Sequence, residues 1–269
     1  MRHSGHWFES TERWLRRGAR ASILVVGLED SDVSISTLAE PGGSILIVGA
    51  SRGLGQAMAA EFAGRGWLVL GTVRGAGTPL HSLAAEQPGR VEIETLDMTD
   101  HDQTRALRDR LADRQFDIVF VNAGVANRTP ANTLAQVSTD EFVHVMLSNV
   151  LGAMRAVEEL GGLARPGGVI GVMSSGQGSI ANNANGTNDV YRASKAALNQ
   201  AMASYAGRHA DEGRALVLMA PGWIRTEMGG ANAPFGVGEA MPQIVDVLIA
   251  QRGSPGLRYL DRHGQTVPW

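Results

Sequence analysis

A short apolar run that ends directly in a glycine-rich loop constrains the fold of this chain more than any other feature. Residues 44–48 read Ser-Ile-Leu-Ile-Val, a composition typical of a parallel strand that is buried on both faces. The loop at residues 49–55 contains three glycines, and a pattern with helical spacing follows it until Gly64 and Gly66. Strand, loop and helix in this order predict an α/β fold built on a parallel sheet.

The same loop is suited to bind a phosphate group. Glycines let the backbone turn tightly and approach a pyrophosphate, whose charge is met by the free N–H groups of the following helix. The residues expected to contribute are Gly49, Ser51, Arg52, Gly53, Leu54 and Gly55. The spacing differs from the commoner G-x-G-x-x-G, and because the chain has 34 glycines, a purely structural turn is the alternative interpretation.

Two arginines indicate which nucleotide this site prefers. Arg74 follows the second predicted strand, residues 67–73, at the point where an NAD site usually carries an acidic residue for the ribose hydroxyls. A guanidinium binds phosphate through two parallel hydrogen bonds, so Arg74 and Arg52 together favour NADP(H) over NAD(H). For each arginine taken alone, an ordinary solvated charge is the alternative.

The only lysine of the chain, against 23 arginines, stands four residues after a tyrosine. On a helix, Tyr191 and Lys195 would share one face. A neighbouring cation favours the phenolate, so we expect the pKa of Tyr191 to fall from its usual value near ~10, which would make it a general acid or base. An incidental surface tyrosine beside a solvated lysine is the alternative.

Further motifs follow in a fixed order along the chain. They lie at the ends of predicted strands and in the helical stretch at residues 140–160, and they are Asp97-Met98, Asn122-Ala123-Gly124, Asn149, Ser174-Ser175, and Pro221-Gly222 with Thr226. With them the chain, from Ser44 to its last residue, resembles the short-chain dehydrogenase/reductase family. Residues 191–199 and the terminal Val-Pro-Trp look like its C-factor and sniffer-type carbonyl reductase branch.

The resemblance implies a fold and a set of roles. The fold is a single doubly wound Rossmann-like domain of about seven parallel strands with helices on both faces. In the family's reaction, Ser175 holds the substrate oxygen and Tyr191 transfers a proton. Lys195 binds the nicotinamide ribose and lowers the pKa of the tyrosine, and Asn149 orders a water. The remaining positions contact the cofactor, and they are Asp97, Met98, Asn122, Ala123, Gly124, Pro221, Gly222 and Thr226.

Two departures from the family pattern and one variable segment need attention. Ser175 and Tyr191 are 16 residues apart instead of 13, so the Asn-rich insert at residues 182–188 must loop outward. Val121 replaces an asparagine, which removes one positioning hydrogen bond. Residues 229–242 correspond to the family's substrate lid, and Phe235, Val237 and Met241 in it indicate an apolar or neutral substrate. Disorder of this glycine-rich segment is the alternative.

Composition limits the classes of function that remain. A chain of 269 residues can hold one well-buried domain, here 44–269, and a net charge of −3 argues against nucleic acid as a partner. No apolar stretch approaches the roughly twenty residues needed to span a membrane. Without cysteines there is no disulfide or thiolate chemistry, which fits the cytoplasm, and the seven histidines show no zinc-type spacing.

Residues 1–43 lie outside the family core. An added edge strand, an oligomer contact and a start codon placed too far upstream are the open interpretations of this extension. The resemblance also implies a homodimer or homotetramer, although its carbonyl reductase branch includes monomers.

The sequence therefore predicts an NADPH-dependent oxidoreductase that transfers a hydride to or from a carbonyl or alcohol carbon of a small molecule. The alternative is a nucleotide-bound regulatory or signalling protein with little turnover.

Overall fold

A seven-stranded, fully parallel sheet forms the centre of the molecule, and the computed structural model describes it within residues 42–269. The strands lie in the order β3-β2-β1-β4-β5-β6-β7. They are β1 (Ser44–Val48), β2 (Leu68–Val73), β3 (Val91–Thr95), β4 (Phe116–Val121), β5 (Ala164–Met173), β6 (Ala215–Ala220) and β7 (Gly256–Asp261). The expected doubly wound Rossmann-like fold is confirmed.

Helices cover both faces of the sheet, as the strand composition requires. Successive residues of a strand point to opposite faces, so Ile45 and Ile47 join one apolar core while Leu46 and Val48 join the other. The first core is completed by α1 (Gly53–Gly64), α2 (Pro79–Glu86) and α7 (Val237–Ala250). The second is completed by α3 (His101–Arg110), α5 (Ala153–Leu160) and α6 (Asp189–Arg208).

The strand order reverses between β1 and β4, and this reversal opens a crevice at the carboxyl edge of the sheet. β1 continues outward to β2 and β3 on one side, whereas β4 leads to β5, β6 and β7 on the other. Val48 pairs with Val121 at the end of these two strands, so the glycine loop and the Asn122-Ala123-Gly124 turn emerge side by side. Ligands of open α/β sheets bind at such a point.

The helical stretch predicted at residues 140–160 is not one regular helix. It consists of α4 (Thr139–Met146), a π-helical turn (Leu147–Gly152) and α5. A π-turn accommodates an additional residue in the helix and is frequent at functional sites. Asn149 lies inside it, and side-chain periodicity alone did not reveal the irregularity.

The predicted substrate lid is shorter than expected. α7 begins at Val237, so residues 237–242 belong to a helix whose Ala240 and Met241 are buried in the core. Phe235 and Val237 pack against the same core. The apolar side chains that indicated an apolar substrate therefore stabilise the fold, and only residues 229–236 remain as a loop.

The Asn-rich insert loops outward as expected. Residues 180–187 are exposed, and the loop ends at Asn188, whose φ of 61° is the left-handed conformation that asparagine tolerates. The N-terminal extension, including its apolar run, lies outside the described residues except for Gly42 and Gly43. No helix within residues 42–269 is long and apolar enough to cross a membrane.

The aromatic contact under α1 tests the packing of the first core. Phe62 is fully buried, with its ring centroid 4.8 Å from that of Trp67. We expect Phe62→Ala to lower the free energy of unfolding by about 3–5 kcal/mol, because it leaves a cavity beside a rigid sheet. Urea unfolding measures the loss. Leu68→Ala, at a position that is 41% exposed, is the control and should cost less than half as much; equal losses would contradict this packing.

Candidate active site

The glycine loop packs against the Asn122-Ala123-Gly124 turn with almost no intervening side chain. Gly49 has a φ of 88°, and a Cβ at this position would lie 2.5 Å from the Cβ of Ala123. A Cβ on Gly55 would overlap the Gly49 carbonyl oxygen. Asn122 Nδ2 donates to that same oxygen at 2.8 Å. Glycine is therefore required at both positions, and the two loops form one unit.

The N-terminus of α1 has the features that a pyrophosphate requires. Arg52 occupies the N-cap position in an extended conformation, and no side chain caps the first N–H groups of the helix. Gly53 has a φ of 59°, and a Cβ there would meet nothing within 4 Å. Free N–H groups beside open space fit a bound phosphate. These residues therefore fit the nucleotide cofactor that the sequence predicts.

The ends of β2 and β3 bring Arg74 and Asp97 together. Asp97 Oδ1 accepts hydrogen bonds from the Thr99 hydroxyl at 2.7 Å and the Thr99 N–H at 3.0 Å. Burial acts to raise the pKa of Asp97, but the Thr99 hydrogen bonds and the charge of Arg74 outweigh it and lower that pKa. Asp97 therefore stays ionised at the edge where the ribose and adenine of a nucleotide are expected, and Met98 beside it is buried.

Arg52 does not turn toward Arg74. Its guanidinium forms an ion pair with Glu227, which follows Thr226 after β6, and the two side chains are 66% and 77% exposed. The pair joins the glycine loop to the Pro-Gly segment across the carboxyl edge of the sheet. Because both groups are solvated, the pair contributes little to stability and Arg52 is free to exchange partners.

Tyr191 and Lys195 share one face of α6, as the spacing predicts. Lys195 Nζ lies 5.7 Å from the centroid of the Tyr191 ring and donates to the Met173 carbonyl oxygen at 2.8 Å. Lys195 is buried, and burial lowers the pKa of its ammonium to about 8. The lysine can therefore change its charge close to cellular pH, which an arginine at this position could not do.

The pKa of Tyr191 is raised, whereas the sequence predicted that it would fall. Burial raises the pKa of the phenol, and a hydrogen bond with the Ser175 side chain only partly opposes this effect. The Lys195 ammonium donates its hydrogen bond to the Met173 carbonyl oxygen. The two hydroxyl groups nevertheless lie close enough to interact, across the sequence separation that the insert lengthened.

Asn149 connects three parts of the site. Its Oδ1 accepts from the Val125 N–H at 2.8 Å, and its Nδ2 donates to the Val125 carbonyl oxygen at 2.8 Å and to Ser194 Oγ at 2.9 Å. A Cβ on Gly124 would lie 3.2 Å from Asn149 Oδ1 and 3.4 Å from Lys195 Nζ. The π-turn, the loop after β4 and α6 are therefore held together beside the lysine.

The segment after β6 forms a closed loop above the same edge. Gly222, with a φ of 92°, lies under the Arg262 guanidinium and turns the chain sharply after Pro221. Thr226 Oγ1 accepts from the Gly229 N–H at 3.0 Å, and Trp223 Nε1 donates to the Gly229 carbonyl oxygen at 2.7 Å. The Pro-Gly motif and Thr226 thus belong to one internally bonded segment.

Sequence reasoning assigned no role to the polar side chains that lie behind Ser175. Tyr259, on β7, donates a hydrogen bond from its hydroxyl to the Ser175 carbonyl oxygen. Ser174 Oγ donates to Asn199 Oδ1 at 2.6 Å. The position of Asn199, four residues after Lys195 on the same helix, could have pointed to it, whereas Tyr259 is 84 residues from Ser175 and gives no local signal.

No metal centre accompanies these groups in the part of the chain that the structure describes. Within residues 42–269, no three His, Asp or Glu side chains are grouped so that they could hold a metal ion.

Comparison with known proteins agrees with this arrangement. The family model described as short chain dehydrogenase matches residues 44–234, more than half of the chain. The chain is 30% identical over 167 residues to the C-signal of Myxococcus xanthus, a match that covers 61% of this chain and 99% of that protein.

Solved structures give the same assignment. A short-chain dehydrogenase/reductase from Burkholderia multivorans with bound NADP is 58% identical, with a TM-score of 0.83, over 84% of this chain and 99% of that one. A carbonyl reductase from Pseudomonas aeruginosa in complex with NADP is 35% identical, with a TM-score of 0.78, over the same shares. The chain therefore belongs to the short-chain dehydrogenase/reductase family, with carbonyl reductases among its structural relatives.

Proposed function

We propose that this protein is an NADPH-dependent oxidoreductase that reduces a carbonyl group of a small molecule or catalyses the reverse oxidation. The observation that carries this proposal is the proximity of the Ser175 and Tyr191 side chains, which influences the pKa of the phenol, beside the buried Lys195. A site that only binds a nucleotide has no physical need for two hydroxyl groups aimed at one point next to an ammonium. The regulatory alternative offers no role for them.

The cofactor, when bound, supplies the hydride, and the side chains of the protein handle the proton. Ser175 Oγ accepts a hydrogen bond from the Gln177 N–H at 3.1 Å, which fixes the position of the hydroxyl group that would hold a carbonyl oxygen. Tyr191 donates its proton to that oxygen as the carbonyl carbon is reduced, and Lys195 stabilises the phenolate that remains. Asn149, through its backbone and the π-turn, would order the water that returns a proton.

The raised pKa of Tyr191 favours the direction of reduction. A phenol whose pKa lies above its usual value is protonated at cellular pH and serves as a proton donor. The same shift makes the tyrosine a weak base for the oxidation of an alcohol. The protonated phenol is thus in the form that the reduction of a carbonyl requires.

The preference for NADPH over NADH follows from the guanidinium groups at the nucleotide end. Arg74 is exposed beside the ionised Asp97, in the place where a ribose 2′-phosphate would add negative charge, and Arg52 is within the loop that holds the pyrophosphate. The NADP found in the related structures from Burkholderia multivorans and Pseudomonas aeruginosa supports the same preference.

The substrate is expected to be small and apolar or neutral. The exposed apolar side chains of the segment after β6 support this expectation. Phe235, Val237 and Met241 do not support it, because they pack in or against the core. Trp223 and Met228, in the segment after β6, are 57% and 54% exposed. Side chains of this kind favour contact with an uncharged organic carbonyl compound.

Replacing the phenol tests the chemical step. Tyr191→Phe should lower turnover at least about 100-fold, because a positioned acid contributes that much, while the Kd for NADPH changes less than about twofold. NADPH consumption with a panel of aldehydes, ketones and quinones provides the rate, and fluorescence titration provides the Kd. Tyr205→Phe is the matched control, since Tyr205 is buried on the far part of α6.

Equal turnover in Tyr191→Phe and the natural protein would reject the assignment of the acid. Tight NADPH binding by the natural protein, without turnover on any compound of the panel, would support the regulatory alternative instead.

The lowered pKa of Lys195 predicts a pH dependence. The ammonium is present below about pH 8 and is lost as the pH rises through that value, so kcat/KM for reduction should decrease above about pH 8. Lys195→Met removes the titrating group, and its much lower residual activity should show no such decrease. Both profiles are measured as steady-state rates from roughly pH 6 to 10, a range that brackets this pKa. The same decrease in both proteins would assign it to another group.

Cofactor choice is tested at the nucleotide end. Arg74→Gln should raise the Kd for NADPH about tenfold or more, because a charged hydrogen bond to the phosphate is lost, and should leave the Kd for NADH within about twofold. Arg90→Gln is the matched control, because Arg90 precedes β3 at the amino ends of the strands, whereas Arg74 follows the carboxyl end of β2. Equal weakening of both cofactors would show that Arg74 does not recognise the 2′-phosphate.

A further inference from the structure

Three buried polar side chains lie directly behind Ser175 and have no part in the chemistry described above. Ser174, Asn199 and Tyr259 are only 2%, 3% and 1% exposed. Burying polar groups is costly unless they are hydrogen-bonded to each other, and such clusters hold their members in one arrangement. Their position beside one functional hydroxyl indicates what this arrangement is for.

The first side of the cluster belongs to the helix that carries Tyr191. Asn199 follows Lys195 by four residues and Tyr191 by eight, so the three side chains lie on one face of α6. Asn199 Oδ1 accepts from Ser174 Oγ at 2.6 Å, and Nδ2 donates to the Gly178 carbonyl oxygen at 3.4 Å. One side chain thus binds the chain both before and after Ser175.

The turn that contains Ser175 rests directly on that helix. A Cβ on Gly178 would lie 3.0 Å from the Cβ of Lys195 and 2.9 Å from Asn199 Nδ2, so no larger residue fits there without displacement. The Gly178 N–H donates to the Ser175 carbonyl oxygen at 2.8 Å and closes the turn. The serine is therefore fixed to the same rigid element as the tyrosine.

The second side of the cluster comes from the far edge of the sheet. Tyr259 reaches from β7 past β6, and its hydroxyl donates to the Ser175 carbonyl oxygen. The Val267 N–H donates to the Tyr259 carbonyl oxygen at 2.8 Å, and the ring of Trp269 lies 5.5 Å from the Tyr259 ring. The last residues of the chain thereby support the tyrosine that holds the serine.

We propose that Asn199 and Tyr259 are positioning residues, which set the distance between the Ser175 hydroxyl and the Tyr191 phenol by holding the serine turn from two sides. This inference rests on the proposed function. It adds that the C-terminal strand and tail are part of the catalytic geometry, so that their loss would impair turnover before it impairs cofactor binding. In this role the hydroxyl of Tyr259 acts through its hydrogen bond to the Ser175 carbonyl oxygen.

Removing one oxygen atom tests this role. Tyr259→Phe keeps the ring and deletes the hydrogen bond to the Ser175 carbonyl oxygen. We expect kcat to fall about fivefold to tenfold, the contribution of one such bond, with the Kd for NADPH unchanged within about twofold. Tyr205→Phe, the same change at the third tyrosine, should leave kcat unchanged.

A double-mutant cycle separates positioning from general stability. In a Ser175→Ala protein the serine hydroxyl is absent, so Tyr259→Phe should cause no further loss of kcat. Ser174→Ala, which releases Asn199 Oδ1, should behave in the same way and serves as a second variant if Tyr259→Phe folds poorly. Circular dichroism melting monitors the fold of each protein.

The outcomes are distinguishable. An equal loss of kcat in the natural and Ser175→Ala backgrounds, or no loss in either, would overturn the positioning role while the proposed function stands. Turnover that is insensitive to Ser175→Ala and Tyr191→Phe would overturn the proposed function, and the positioning role with it.

Discussion

The close approach of the glycine loop to the turn after β4 is the contact on which the rest of the site depends. Because Gly49 and Gly55 have no side chains, the end of β1 meets Ala123, and Asn122 bridges the two backbones at 2.8 Å. The chain then continues through Gly124, which lies against Lys195. One tight backbone contact at the strand-order reversal thus aligns the glycine loop with the helix that carries Tyr191 and Lys195.

The surroundings of Lys195 explain why the only lysine of the chain stands at this position. Its ammonium is buried, donates to the Met173 carbonyl oxygen and has a pKa lowered to about 8. A guanidinium in its place would stay charged at any cellular pH. Burial has the opposite effect on Tyr191, whose pKa rises, so low solvent exposure favours the uncharged form of both side chains.

Rigidity in this site comes from hydrogen bonds between distant segments. Asn149 ties the π-turn to the loop after β4 and to α6, and the cluster behind Ser175 ties β5, α6 and β7 together. The exposed pair between Arg52 and Glu227 is of a different kind, because solvated charges exchange partners easily. The surroundings of Ser175 and Lys195 are therefore held firmly, whereas the Arg52 side chain can change its partner.

Local pattern was sufficient for the first two strands, the glycine loop and the pairing of Tyr191 with Lys195, because each depends on neighbours within a few residues, whereas the full seven-stranded fold was implied by the family resemblance. It failed where distant segments compete: burial reversed the expected pKa shift of Tyr191, and core packing drew Met241 from a predicted lid into α7. Tyr259 acquires its partner only when β7 joins the sheet. Solvent exclusion and long-range hydrogen bonds arise from the assembled fold, so no short stretch of sequence contains them.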